Sequence, residues 1–154
     1  MDIKDFIRTL DKSDSETEII HVPLYHRDVA ICGNEYDLPL FEISTSEWPS
    51  AEGTCVARTF NNTETGTTVM MFRDEYPSWG VIAHECLHTM NFILNRAGHT
   101  PDRLKDEPDA YLLEFLVEAV GQALSNIRDK RFERQLKKIK GEGAGEDAGD
   151  GDDA

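Results

Sequence analysis

His84 and His88, with Glu85 directly after the first of them, are the residues of this chain best suited to chemistry. A helix advances about 100° per residue, so residues four apart lie only about 40° from one another on its surface. Two imidazoles placed this way can occupy two corners of a tetrahedral metal site. Glu85 falls about 100° from His84 and about 60° from His88, beside such an ion and not on it. That is where a general base takes a proton from water. The run His84-Glu85-Cys86-Leu87-His88 therefore points to metal-assisted hydrolysis, with zinc the ion this donor set favours.

The rest of the helix separates this reading from a chance pair of core histidines. Trp79, Ile82, Ala83, Cys86, Met90, Ile93 and Ala97 fall on one apolar seam, centred about 200° from His84. Core histidines would lie inside the seam, and these lie opposite it. Cys86 belongs to the seam, which makes it a small buried hydrophobe and not a ligand. A hydrolytic zinc keeps three protein ligands and one water, so a third ligand must come from elsewhere. The next helical segment offers Glu107, Asp109, Glu114 and Glu118. Glu107, Ala110, Tyr111 and Glu114 share a face, and the small Ala110 permits close helix approach. Glu107 also suits the positive end of the helix dipole as a plain first-turn carboxylate. Glu114, further along that face, reaches toward the same position. On the residues alone these alternatives stay open.

The same residues carry a resemblance. His84-Glu85-Cys86-Leu87-His88, followed nineteen residues later by Glu107-Pro108-Asp109-Ala110-Tyr111-Leu112, resembles short zincin-like metallopeptidases encoded by bacteriophages. It is more distantly similar to minimal zincins of the ImmA/IrrE type. In those families a Glu-x-x-Ala pattern on the second helix supplies the glutamate that completes the zinc site. Of the four acids above, only Glu107 heads such a pattern. The resemblance covers about Thr67 to Leu124. It implies Zn2+ held by His84, His88 and Glu107, Glu85 as the catalytic base, and a peptide or protein substrate. It also implies a cleft bordered by the last strand. Tyr111 and His99 are candidates, by location, for stabilising an oxyanion. His21 and His26 read as ordinary surface or hydrogen-bonded histidines. The rival reading is a zincin-shaped interaction protein without catalysis, whose metal holds the fold while its surface engages a host or phage protein. A charged end suits that rival, whereas a base beside the metal does not.

The elements that must position these residues follow a simple order. Runs rich in β-branched and aromatic residues at Glu18–Tyr25, Asp28–Cys32, Leu38–Ile43, Thr54–Phe60 and Thr67–Arg73 predict strands. Asn61 to Gly66 is a stretch of turn formers that predicts a hairpin. Two helices come after. The first starts at the N-cap Ser78 and ends before Gly98. The second starts around Asp106–Asp109, with acids and a proline in its first turn, and repeats apolar residues from Leu113 to Ile127 at helical spacing. Strands first and helices second favour α+β over alternating βαβ units. The expected fold is a zincin-like α+β domain over residues 1–140: a small, mostly antiparallel sheet packed against an active-site helix and a C-terminal ligand helix.

Composition bounds the partners. With 154 residues, 39% hydrophobic and 30% charged, the chain reads as one soluble domain. The net charge is −14. Gly141 to Ala154 holds six acids and no base, leaving −8 on the first 140 residues. An acidic body argues against nucleic-acid binding, which needs a basic face. Arg128 to Lys140 holds seven bases against two acids, and reads as a solvated helix end matched to the negative pole of the dipole. The tail 141–154 is low-complexity and is expected to be disordered. No run approaches the roughly 18 apolar residues of a membrane span, and Met1 to Leu10 lacks the apolar run of a signal peptide. Three cysteines, Cys32, Cys55 and Cys86, do not make a disulfide framework. The expectation is a reduced, cytoplasmic protein (host cytoplasm if phage-encoded) that binds a peptide or protein and neither nucleic acid nor membrane. There is no phosphate loop, CxxC pair or nucleophile elbow.

Overall fold

Four short apolar segments join into one sheet in the computed structural model, which describes residues 15–48, 55–100, 102 and 104–142. The expectations for Met1–Leu10, for Thr54 and for 143–154 of the tail lie outside the described residues. The strands are β1 (Thr17–Val22), β2 (Arg27–Cys32), β3 (Ala57–Asn61) and β4 (Thr68–Phe72). Their order across the sheet is β1-β2-β4-β3. β1 is antiparallel to β2 and β3 to β4, while β2 and β4 run parallel. The fold is therefore α+β with a mixed sheet. Val29 to Cys32 and Thr68 to Phe72 are buried without alternation, because the two central strands are covered on both faces. Val29, Ile31, Met70 and Phe72 pack beneath the helices. Ala30, Cys32, Val69 and Met71 pack on Leu38, Phe41 and Trp48.

The hairpin between β3 and β4 closes where the turn formers predict it. Asn62 Oδ1 accepts from the backbone N–H groups of Glu64 and Thr65 at 3.0 and 3.1 Å. Gly66 takes a φ of 75°, which glycine adopts without a Cβ clash. Two expected strands come out differently. Glu18–Tyr25 stops at Val22, because Pro23 has no N–H to donate to a ladder and opens a 3-10 turn over Pro23–Tyr25. Leu38–Ile43 is not a strand. Glu35–Phe41 forms a 3-10 helix containing Pro39, started by the Asn34 side chain accepting from Tyr36 N at 3.0 Å. Its apolar residues still serve burial, since Leu38 and Phe41 cover the outer face of the sheet.

Two helices form the other layer: α1 (Trp79–Arg96) and α2 (Glu107–Glu142). Ser78 Oγ accepts from Val81 N at 3.3 Å and starts α1. Gly98, at a φ of 72°, and the bond from His99 N to Leu94 O at 2.9 Å finish it. α1 and α2 approach closely at Gly121, where an added Cβ would meet the Trp79 ring at 3.0 Å. α2 begins at the acidic turn, as expected, but continues through the basic stretch and two residues into the assigned tail. Its bases explain the extension. Lys130 Nζ lies 2.6 Å from Glu18 Oε1, Arg131 grips Glu16 and donates to Gly33 O at 2.7 Å, and Arg134 reaches Glu16 at 3.3 Å. Arg128 lies over the Tyr76 ring. The reading of these bases as a merely solvated helix end is corrected: four of them clasp α2 to the start of β1 and to the β4–α1 connection. Among the described residues no helix is long and apolar enough to cross a membrane.

Candidate metal centre

The inner surface of α1 is set by Ile82, Cys86, Met90 and Ile93, all buried. His84 lies two residues from Cys86 and His88 two beyond it, so both rings stand about 160° from that surface. Both are exposed. Their Nε2 atoms are 3.1 Å apart, with the rings edge to face at 78°. Two nitrogens on one tetrahedral zinc, each at about 2.0–2.1 Å, stand roughly 3.3 Å apart. The pair thus fits a shared ion. The same separation lets one neutral imidazole donate to the other when no ion lies between them.

Glu85 points a different way. Its residue is 5% exposed and turned toward the sheet, where Thr59 Oγ1 on β3 donates to Oε2 at 2.6 Å. Glu85 and His84 nevertheless line one cavity of about 410 Å³, whose other walls are Cys55, Val56 and Ala57 beside β3 and Ser78, Gly80 and Val81 at the start of α1. The strand bordering this cavity is β3, at the edge of the sheet, and not the last strand. The expectation of Thr67–Arg73 at the cleft is corrected, because β4 inserts between β2 and β3. Strand patterns predict that segments exist but not their order across a sheet.

Cys86 lies in the seam, fully buried, and burial with the neighbouring Glu85 charge pushes its thiol up to about 12. A thiol binds metal as the thiolate, so Cys86 is a packing residue. Cys55 is half-buried and its Sγ donates to Ala57 O at 3.0 Å.

The second helix does not bring a ligand to the histidines. Among the described residues no group of three or more His, Cys, Asp or Glu stands ready to hold an ion. Glu107 is exposed in the first turn of α2 and lines a separate cavity of about 480 Å³ with Val22, Leu24, Tyr111 and Phe115. Glu114 is exposed as well. The cause is rotational. α2 buries Leu112, Leu116 and Val120, and Glu107 lies about 180° from the centre of that face, while α1 turns its histidines away from the packed seam. The two candidate oxyanion groups are also elsewhere. Tyr111 walls the separate cavity. His99 Nε2 is 3.0 Å from Asp109 Oδ1, a contact not aligned as a hydrogen bond, joining the end of α1 to the start of α2. His21 pairs with Asp28 across β1 and β2 at 2.9 Å, and His26 occupies a left-handed turn.

Thr59 is the site residue that the sequence reading missed. Its only signal was a polar residue two places after Ala57, on the same face of a short strand, and that signal requires knowing which helix covers the face. No protein-family model, no curated protein and no solved structure matches this chain.

Proposed function

We propose that the protein is a zincin-like metallopeptidase in which His84 and His88 hold zinc and Glu85 is the general base. The observation that carries this is the convergence of two Nε2 atoms to 3.1 Å beside a cavity that also contains Glu85. A zinc ion there would supply Lewis acidity, lowering the pKa of water toward neutrality. Glu85 takes the proton from the attacking water and passes it to the departing amine. The outer edge of β3 offers an extended peptide backbone hydrogen bonds beside this cavity. Glu107 is our assignment for the third ligand. It lies away from the pair in the described structure, so its use requires the first turn of α2 to shift toward α1.

The test is Glu85→Gln, which removes the proton acceptor while keeping size and both histidines. Zinc content should stay at the parental level, and peptide hydrolysis should fall about 10²–10⁴-fold. A variant cutting as fast as the parent would remove Glu85 as the base. A second reading has its own observation. The apolar cavity near Glu107 is walled by Leu24, 89% exposed, and Tyr111, 66% exposed. Such a surface suits a partner protein, with the metal serving the fold.

A further inference from the structure

A carboxylate withdrawn from water needs donors to replace its hydration. For Glu85 the donor among the described residues is Thr59, whose hydroxyl lies 2.6 Å from Oε2. The Thr59 hydroxyl also stands 3.3 Å from the backbone oxygen of Glu85. It has one proton to give, and the shorter contact to the carboxylate takes it. Oε1 accepts no hydrogen bond among the described residues, and Glu85 borders the cavity shared with His84. Thr59 sits on the edge strand β3, in register with Met70 of β4, so its position is fixed by a paired backbone. Thr89, one turn after Glu85, is fully buried, but its hydroxyl has no partner among the described residues. The two threonines are therefore not equivalent.

We propose that Thr59 is a positioning residue: its hydroxyl anchors Oε2 of Glu85 and leaves Oε1 as the oxygen that exchanges protons in the cavity. This rests on the hydrolase reading above. The anchor joins the base to the strand along which substrate would lie, so a shift of β3 moves carboxylate and cleft wall together.

Three substitutions test it. Thr59→Val keeps the shape and removes the donor, Thr59→Ser keeps the donor, and Thr89→Val removes a hydroxyl that touches no carboxylate. In the zinc-loaded protein Thr59→Val should lower kcat about ten- to a hundredfold with KM and zinc content nearly unchanged, the signature of misplaced catalytic geometry. Thr59→Ser and Thr89→Val should both stay close to the parent. Parental kcat in Thr59→Val overturns the proposal, and so does a serine variant as slow as the valine one. A second arm needs no hydrolysis. In the metal-free protein, Thr59→Val should lower the Tm of the parent clearly more than that of a Glu85→Met background, where only the longer contact to the backbone oxygen of residue 85 remains. Equal losses in both backgrounds overturn the anchor. A parent that cuts no peptide overturns the hydrolase reading and the positioning role with it. Coupling in the metal-free protein then distinguishes that failure from a missing Thr59–Glu85 contact.

Discussion

Two cavities flank the helical layer, and their linings differ in kind. The one between β3 and the start of α1 is the smaller, about 410 Å³, and holds an imidazole, a half-buried thiol and a buried carboxylate. The one between the end of β1 and the start of α2 is about 480 Å³ and is walled by Val22, Leu24, Tyr111, Leu112 and Phe115 with one carboxylate, Glu107. The first has donors, a candidate base and a strand edge to which no further strand pairs among the described residues. The second has apolar area and almost nothing that reacts. The sequence reading joined residues of both into a single zinc site. In the structure His84 and Glu85 line one cavity and Glu107 the other, so the zinc site proposed above needs the first turn of α2 to shift toward α1.

The strongest way to break the comparison is His88→Ala. If the first cavity is the metal centre, the parent should bind about one equivalent of zinc and this variant should lose most of it, as read by elemental analysis after dialysis. Full retention would leave the polar cavity with no claim to a metal. The next effect asks whether the two cavities ever act together. Should Glu107 close the site, Glu107→Ala ought to weaken zinc binding by more than the 10–100-fold typical of residues that only orient ligands. Glu114→Ala ought to change it by less than about threefold, as expected of an exposed side chain away from the ion. Comparable small effects in a zinc titration would keep the cavities separate and the third ligand outside α2.

What was legible in the sequence was local. His84, His88 and Cys86 of α1 point where helical arithmetic puts them, but Trp79 and Ala97 of the expected seam are exposed, and Glu85, Thr89 and Leu94 join the buried face instead. The hairpin at Asn62 and Gly66 and the caps at Ser78 and Gly98 were legible for the same reason: each is decided by residues a few positions apart. Relations between elements were not. Thr59 meets Glu85 from 26 positions away, through an edge strand whose place beside β4 no single segment encodes. Glu107 shares a helical face with Ala110, but the rotation of α2 is set by Leu112, Leu116 and Val120 seeking the sheet. The Glu35–Phe41 segment shows the reverse error. Its composition suits a strand, yet Pro39 and the Asn34 cap favour a 3-10 helix that buries the same residues.

The smallest expected effect is the most informative about the second cavity. Tyr111 is 66% exposed and forms one wall of it. Substituting an exposed side chain typically changes stability by no more than about 0.5 kcal/mol, so Tyr111→Ser should fold normally. As the structure places it, Tyr111 lines the cavity away from Glu85, and if catalysis uses the β3 cavity alone, both zinc content and peptide cleavage should stay within about twofold of the parent. A loss of cleavage as large as that of Thr59→Val would mean that substrate reaches across both cavities, and the division drawn between them would fail. On the interaction reading the same substitution has the opposite weight. Exposed tyrosines at the centre of an apolar patch are common anchors of protein interfaces, and truncating one can cost about 2 kcal/mol or more, roughly thirtyfold in affinity. Cleavage kept and partner binding lost in one variant would assign catalysis to the β3 cavity and recognition to the α2 cavity. Cleavage lost with Tyr111 and kept with Thr59→Val would reverse that assignment.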